Sequence, residues 1–321
     1  MHEALLYKGN KCNLCYRRCN IKEGEFGYCK TRKNVNGRIY TLTYGNLSSV
    51  EMRPMEIKPF FHFYPGSYAL TFSSYSCNFH CPWCQNWHIS MEKPLENFEF
   101  ISPEKLLDLA GKNGLCASFN EPTLLFEYCI DLFRLAKQPK SMVSNGYMTK
   151  DALKMLKEAG LNAMNIDVKG GKEVYEKYLS AKEYHVWENA SYAKSLGIHV
   201  EMVNLIITGV NDKEEQIDEI IEKHLKYVGN KTPIHFTRYS PAYKFKNPAT
   251  PIKKLEYAYE KAKKEGILYP YIGNVSGHEY ENTYCHKCNK LLIKRYGSKI
   301  IKIYLTKAKC PFCKEELPFV I

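Results

Sequence analysis

The chain of 321 residues lacks any run approaching the roughly 18 consecutive apolar residues that a membrane-spanning helix needs. It also lacks a basic segment followed by an apolar one at its start, Met1-His2-Glu3-Ala4-Leu5-Leu6-Tyr7-Lys8, so no secretory leader is expected and the reading is a soluble cytoplasmic protein with no membrane partner. There is no internal repeat and no low-complexity linker, which argues against a solenoid or a disordered tether. Acidic residues are outnumbered, 34 Asp and Glu against 46 Lys and Arg, for a formal charge of +12. That count treats every cysteine as neutral; with the terminal cysteine groups as thiolates on two divalent ions, roughly +8 remains. The surplus suits an anionic partner or a Lys-rich solvated surface, and composition alone does not separate the two. With 45% hydrophobic and 25% charged residues, the chain can bury one large core plus a small appendage.

What is abundant is cysteine, 13 in all. Cytosolic thiols stay reduced, so metal ligation is expected rather than disulfides. The cysteines fall into three groups: Cys12, Cys15, Cys19 and Cys29; Cys77, Cys81 and Cys84; and Cys285, Cys288, Cys310 and Cys313. Cys116 and Cys129 stand alone on apolar faces and read as inert core thiols. This partition predicts a Cys-rich metal-binding module over residues 1–65, a catalytic segment over 66–280 and a zinc-ribbon-like module over 281–321. In the middle segment, apolar runs at 68–73, 115–119, 141–144, 163–168, 200–207 and 234–239 alternate with helical patterns at 103–110, 124–136, 150–159, 187–196, 214–225 and 252–264. Strands separated by such helices pair in parallel through right-handed crossovers. Six units predict an α/β fold, a partial (β/α)6 TIM-like barrel, with its chemistry at the C-terminal strand ends.

Directly after the first predicted strand comes Cys77-Asn78-Phe79-His80-Cys81-Pro82-Trp83-Cys84, a CxxxCxxC loop. Three thiolates are one too few for a closed tetrahedral zinc site or a fully ligated cubane. They suit a [4Fe-4S] cluster with one iron open to the amino and carboxylate groups of S-adenosylmethionine (SAM). A zinc knuckle borrowing His80 is the alternative. Trp83 suits packing against an adenine.

Polar residues follow at later strand ends. Asn120 and Glu121 precede Pro122 at a helix start, where a ligand amino group could be met. Ser144 and Asn145 precede Gly146 and suit a ribose or carboxylate, or form an ordinary loop. Asp167 and Lys169 share one face of a strand, as a functional pair or a structural ion pair. Asn204, then His235 and Arg238, then Asn274 continue the series, which reads as polar groups gathered at one end of the barrel.

With these residues in view, the chain resembles radical SAM enzymes related to pyruvate formate-lyase activating enzyme, and more closely the AmmeMemoRadiSam-system branch. The resemblance runs through 12–32, Lys58-Pro59-Phe60-Phe61-His62, the CNFHCPWCQN segment, Asn120-Glu121-Pro122-Thr123, His235-Phe236-Thr237-Arg238-Tyr239, Gly273-Asn274-Val275 and the terminal CxxC pair. It implies that Cys77, Cys81 and Cys84 ligate the cluster and that Asn120 and Glu121 stand at the SAM amino-group motif. It also implies that Asp167 and Lys169 match the DxK pair of the activases. The usual Gly-Gly-Glu-Pro is Phe119-Asn120-Glu121-Pro122 here. The family name further implies AMMECR-like and Memo-like protein partners, and the chemistry an electron donor such as ferredoxin or flavodoxin.

Cys285-x-x-Cys288 and Cys310-x-x-Cys313, 21 residues apart, flank two apolar runs around Gly297 and predict a zinc-closed β-ribbon. Cys12, Cys15, Cys19 and Cys29 fit zinc or an auxiliary cluster, with Gly24 and Gly27 suited to a tight turn. The function expected is reductive SAM cleavage followed by hydrogen abstraction from a macromolecule, protein or peptide ahead of RNA. Catalytic candidates are Asp167, Lys169 and Arg238; SAM-binding candidates are Trp83, Asn120, Glu121, Ser144, Asn145, Asp167, Asn204 and Asn274. A glycyl-radical activase is one alternative. A non-catalytic zinc-ribbon binder of nucleic acid is another, of a different class.

Overall fold

The computed structural model describes residues 1–321. Eight strands form one sheet in strict sequence order: β1 (Ser49–Pro54), β2 (Tyr68–Ser73), β3 (Gly114–Ala117), β4 (Lys140–Ser144), β5 (Ala163–Val168), β6 (His199–Ile206), β7 (Ile234–Arg238) and β8 (Pro270–Gly273). β1 runs antiparallel to β2, and every later pair is parallel. The crossovers carry α1 (Pro103–Ala110), α2 (Phe126–Leu135), α3 (Lys150–Glu158), α4 (Tyr184–Ser195), α5 (Glu214–Val228) and α6 (Ile252–Lys264). The fold is the α/β partial barrel expected. The seventh parallel strand is β8, and β1 extends the sheet at the other edge into the segment before residue 66.

Local chemistry sets these boundaries. Ser102 caps α1, its Oγ accepting from Lys105 N at 3.2 Å, with Pro103 at the first helical position. Thr149 does the same for α3 through Ala152 N. β5 is buried on both faces, as a central parallel strand must be.

The N-terminal segment pairs His2–Glu3 and Arg32–Val35 with the central strand Arg38–Thr41. Its apolar residues Ala4, Leu14, Ile21 and Ile39 belong to the same continuous core as the barrel. The C-terminal ribbon, Thr283–Tyr284 with Leu291–Tyr296 and Lys299–Ile303, has a small core of its own around Leu292, Ile293 and Leu305.

The N-terminal strand ends are closed by residues 55–64. Glu201, near the start of β6, accepts from Phe61 N (3.0 Å), His62 N (2.8 Å), His199 Nε2 (3.1 Å) and His235 Nε2 (2.8 Å). Burial alone would raise this carboxyl; the donors hold it well below the usual range. Tyr271 OH and His62 Nε2 lie 2.7 Å apart, and Arg295 of the ribbon donates to Phe61 O and lies over the Phe61 ring. His235 therefore sits at the opposite end of the barrel from the cysteine loop. The sequence series placed it with Arg238, but it is the second residue of β7 and Arg238 the last, so the two stand at opposite ends of the strand.

Candidate functional site

The CxxxCxxC loop leaves the C-terminal end of β2. Ser76, in the left-handed region at φ 70°, turns the chain into it. Cys81 is buried; Cys77 and Cys84 are partly so. Cys77 Sγ accepts from Phe79 N at 3.3 Å and lies 3.7 Å from Asn145 Nδ2. Burial, then the Glu121 carboxylate and the Cys81 thiolate, raise the Cys77 thiol well above its ordinary value. Burial pushes Cys81 up to about 12, against the opposing charge of Lys169. The three thiols share one eight-residue loop, with Asn145, just past the end of β4, against Cys77. Three thiols on one loop with polar groups beside it fit a cluster that keeps one iron open.

Glu121 is buried and fully engaged. Oε1 accepts from Thr123 N (3.0 Å), Thr123 Oγ1 (2.5 Å) and Ser144 Oγ (2.8 Å), and Oε2 from Asn145 N (2.8 Å). Its carboxylate therefore joins the ends of β3 and β4. Asn120 Nδ2 donates to Ser76 O at 2.9 Å, bracing the loop entrance. Phe119 stands where the wider pattern has glycine, and its φ of 70° is the reason glycine suits that position. Its O accepts from Asn86 Nδ2 at 2.6 Å.

Asp167 and Lys169 pair directly. Burial would lower Lys169, but Asp167 and the Cys81 thiolate outweigh it and hold the ammonium above its ordinary range. Asp167 Oδ1 and Trp83 Nε1 are buried polar atoms without a partner. Orphans of this kind beside the three thiols are what a polar ligand would satisfy. Trp83 packs edge-on against Tyr178 and Phe245. Asn204 Nδ2 donates to Val168 O at 2.8 Å, Arg238 Nε to Thr250 O at 2.8 Å, and Asn274 Nδ2 to Arg238 O at 3.0 Å. These last three brace the strand ends to one another.

Sequence reasoning missed Lys58 as a site residue. It rises from the segment that closes the barrel floor, is 5% exposed, and sets its Nζ 3.7 Å over the centroid of the Phe119 ring. Burial lowers its pKa to about 8. The only signal was a lysine amid apolar residues, Lys58-Pro59-Phe60-Phe61.

The C-terminal thiols form a separate centre. Cys285 and Cys313 lie 3.6 Å apart, Cys288 and Cys310 3.7 Å apart, and all four ligand atoms fall within 4.8 Å of one another. Tetrahedral Zn–S bonds of about 2.3 Å place sulfurs about 3.8 Å apart, so the set fits one such ion. Although burial alone would raise it, N–H groups of Cys313 and Phe312 bring the Cys310 thiol down to about 7. Tyr269 OH and His286 Nδ1, 2.8 Å apart, tie this knuckle to the barrel.

A mostly parallel partial barrel with a three-thiol loop at its C-terminal rim defines a class of enzyme, and the Radical SAM superfamily model matches residues 72–224. The chain belongs to the radical SAM superfamily, whose chemistry uses a [4Fe-4S] cluster and SAM. It is 40% identical to the uncharacterized protein MJ0808 of Methanocaldococcus jannaschii, over 100% of both chains. It is 23% identical to a GTP 3′,8-cyclase of Nautilia profundicola, over 72% of this chain and 79% of that one. A likeness of 24% links it to MJ1227 of M. jannaschii, a protein named for glycyl-radical enzyme activation, over 49% of this chain and 68% of that one. Among solved structures, a radical SAM methyltransferase of Sphaerobacter thermophilus shares the fold, with a TM-score of 0.51 and 13% identity over 68% of this chain and 71% of that one. No helix is long and apolar enough to cross a membrane. Membership in an enzyme superfamily sets aside the non-catalytic reading.

Proposed function

We propose that Cys77, Cys81 and Cys84 hold the catalytic [4Fe-4S] cluster, and that the chain abstracts hydrogen from a protein or peptide. The finer placement in the AmmeMemoRadiSam-system branch belongs to the same proposal. When bound, cluster and SAM supply one-electron cleavage of the sulfonium to methionine and a 5′-deoxyadenosyl radical. The observation that supports the reading is convergence at the rim where the loop leaves β2: Asn145, held by Glu121, lies 3.7 Å from Cys77 Sγ, Asn120 braces Ser76, and Asp167 Oδ1 and Trp83 Nε1 are buried without partners.

The chain's own residues have separable tasks. Asp167, through its free Oδ1, and Trp83, through its indole N–H, offer one acceptor and one donor to SAM. Lys169 orients Asp167 through their ion pair. Asn120, Glu121, Ser144, Asn145, Asn204 and Asn274 shape the pocket chiefly by joining strand ends, and Arg238 closes the rim beside β8. Lys58, charged or neutral near neutral pH, lies within the barrel toward an anionic group of the substrate.

The Cys-rich additions at both ends support a macromolecular substrate, because they enlarge the surface beyond what a small molecule needs. An external one-electron donor such as ferredoxin or flavodoxin, and AMMECR-like and Memo-like partner proteins, belong to the same proposal. A second reading, radical chemistry on a nucleotide, draws on the likeness to GTP 3′,8-cyclase; glycyl-radical activation draws on MJ1227. Substrate class is tested by 5′-deoxyadenosine release from the reduced, reconstituted protein with cell extract. Stimulation abolished by protease but resistant to nuclease supports a protein; stimulation by GTP alone overturns it.

A further inference from the structure

The N-terminal segment bears on the CxxxCxxC loop through more than its cysteines. Cys12, Cys15, Cys19 and Cys29 line one cavity, and Arg17 and Asn78 line it with them. Ser76 Oγ donates to Cys29 O at 2.5 Å, and the Tyr28 ring stacks on His80, inside the loop, with centroids 4.6 Å apart. Tyr16 N donates to Tyr147 O at 3.1 Å, just past the end of β4. Arg17, between Cys15 and Cys19, reaches furthest.

Each nitrogen of the Arg17 guanidinium donates to a different carbonyl. Nε donates to Asn78 O at 2.9 Å, within the cysteine loop. Nη1 donates to Ser180 O at 2.7 Å and Nη2 to Leu179 O at 2.6 Å, at the end of the widened helical turn Tyr175–Leu179 that follows β5. That turn supports the site directly. Its Tyr175 OH accepts from Lys169 N at 3.2 Å, and its Tyr178 packs edge-on against Trp83 with centroids 5.2 Å apart. One side chain of the N-terminal segment therefore ties the loop of thiols to the turn behind Lys169 and Trp83. The guanidinium is held in place by aromatic faces, 4.2 Å from the centroid of Tyr28, 5.5 Å from Phe79 and 5.8 Å from Tyr147.

Two properties make this an arginine's task. A rigid fork with donors on three nitrogens meets three acceptors in fixed directions, whereas a lysine offers a single nitrogen on a flexible stem. All three acceptors are carbonyls and none is a carboxylate, so no bonded anion cancels the positive charge beside the loop.

We propose that Arg17 is the positioning residue that sets the CxxxCxxC loop against the turn 175–180, and that its charge favours the reduced form of the cluster that loop holds. The positioning stands on the geometry alone. The charge effect rests on Cys77, Cys81 and Cys84 being the cluster ligands: a reduced [4Fe-4S] cluster carries one more negative charge, and a nearby unneutralised cation stabilises it.

The test compares Arg17→Lys and Arg17→Gln with the wild type, in the full chain. Hydrogen exchange is read over residues 76–84 and 172–180, with β6 as internal reference. After anaerobic reconstitution, the ratio of reduced to oxidised cluster is measured by electron paramagnetic resonance at one fixed solution potential, following the signal that Cys81→Ala lacks. Both variants should exchange several-fold faster in the two segments while β6 keeps its protection. Arg17→Lys, which retains the charge, should hold the ratio within about twofold of the wild type, and Arg17→Gln should lower it by about threefold or more. Wild-type exchange of both segments in Arg17→Gln, or faster exchange that extends to β6, overturns the positioning. An unchanged ratio in Arg17→Gln, or an equal fall in Arg17→Lys, overturns the charge effect. A wild-type chain that forms no cluster contradicts the ligand assignment instead, and the exchange comparison still decides the positioning.

Discussion

Individual side chains divide into those that hold the site together and those left free for a ligand. Glu121 is of the first kind: with four donors converging on one buried carboxylate, Glu121→Ala strands Thr123, Ser144 and Asn145 without an acceptor. A loss of about 2–4 kcal/mol in urea unfolding is expected, with weaker SAM retention. Lys58 is of the second kind. A buried ammonium whose named partner is an aromatic face costs stability, so Lys58→Met should stabilise the fold by about 1–3 kcal/mol while lowering substrate-stimulated turnover. A variant both less stable and fully active would show the lysine to be structural. Neither role was legible in the sequence. A Glu before a Pro reads the same whether it faces a ligand or caps a helix, and Lys58 gains its meaning only when the floor segment folds inside the barrel.

At the scale of elements, the sequence revealed most where burial imposed a pattern. β2 to β7 and all six crossover helices were visible because parallel strands are covered on both faces and helices on one. β1 was missed because Ser49–Pro54, an edge strand, is half exposed and carries Glu51 and Arg53, leaving no apolar run to detect. His235 was misplaced because it was grouped with Arg238 as one strand's polar pair, although its position at the strand's start puts it at the N-terminal end. α5 offers a test of burial itself. His224 is buried, its Nε2 lying 3.0 Å from Thr232 O, and burial lowers its pKa to about 3. The unfolded chain takes up a proton as pH falls through about 6.5, whereas the folded one refuses it until about pH 3. This histidine's contribution is therefore intact above pH 6.5 and lost progressively below. Between pH 6.5 and 5.5 the wild type should lose about 1 kcal/mol more than His224→Leu, measured as the change in urea midpoint. Equal losses would mean that the buried imidazole titrates normally.

Taken whole, the molecule is a barrel closed at one rim by residues 55–64 and the ribbon, and furnished at the other with the cysteine loop. The cysteine groups were legible from spacing alone, and the last four are gathered within 4.8 Å. What spacing did not convey is attachment. The N-terminal segment shares the barrel's core and touches the CxxxCxxC loop through Arg17 and Cys29, while the C-terminal ribbon keeps its own core and reaches the floor through Arg295. The two four-cysteine groups, alike on paper, therefore stand at opposite ends of the barrel.

Cys77, Cys81 and Cys84 are proposed to hold a redox cluster that cleaves SAM. The most direct measurement is 5′-deoxyadenosine formed from SAM by the anaerobically reconstituted, dithionite-reduced chain, with Cys81→Ala alongside. Multiple turnovers by the wild type are expected, with at least a 100-fold loss in Cys81→Ala, on the order of 3 kcal/mol in barrier, together with loss of the cluster's visible absorbance. Undiminished cleavage by Cys81→Ala, or a wild type that binds four irons and releases no 5′-deoxyadenosine, would contradict it.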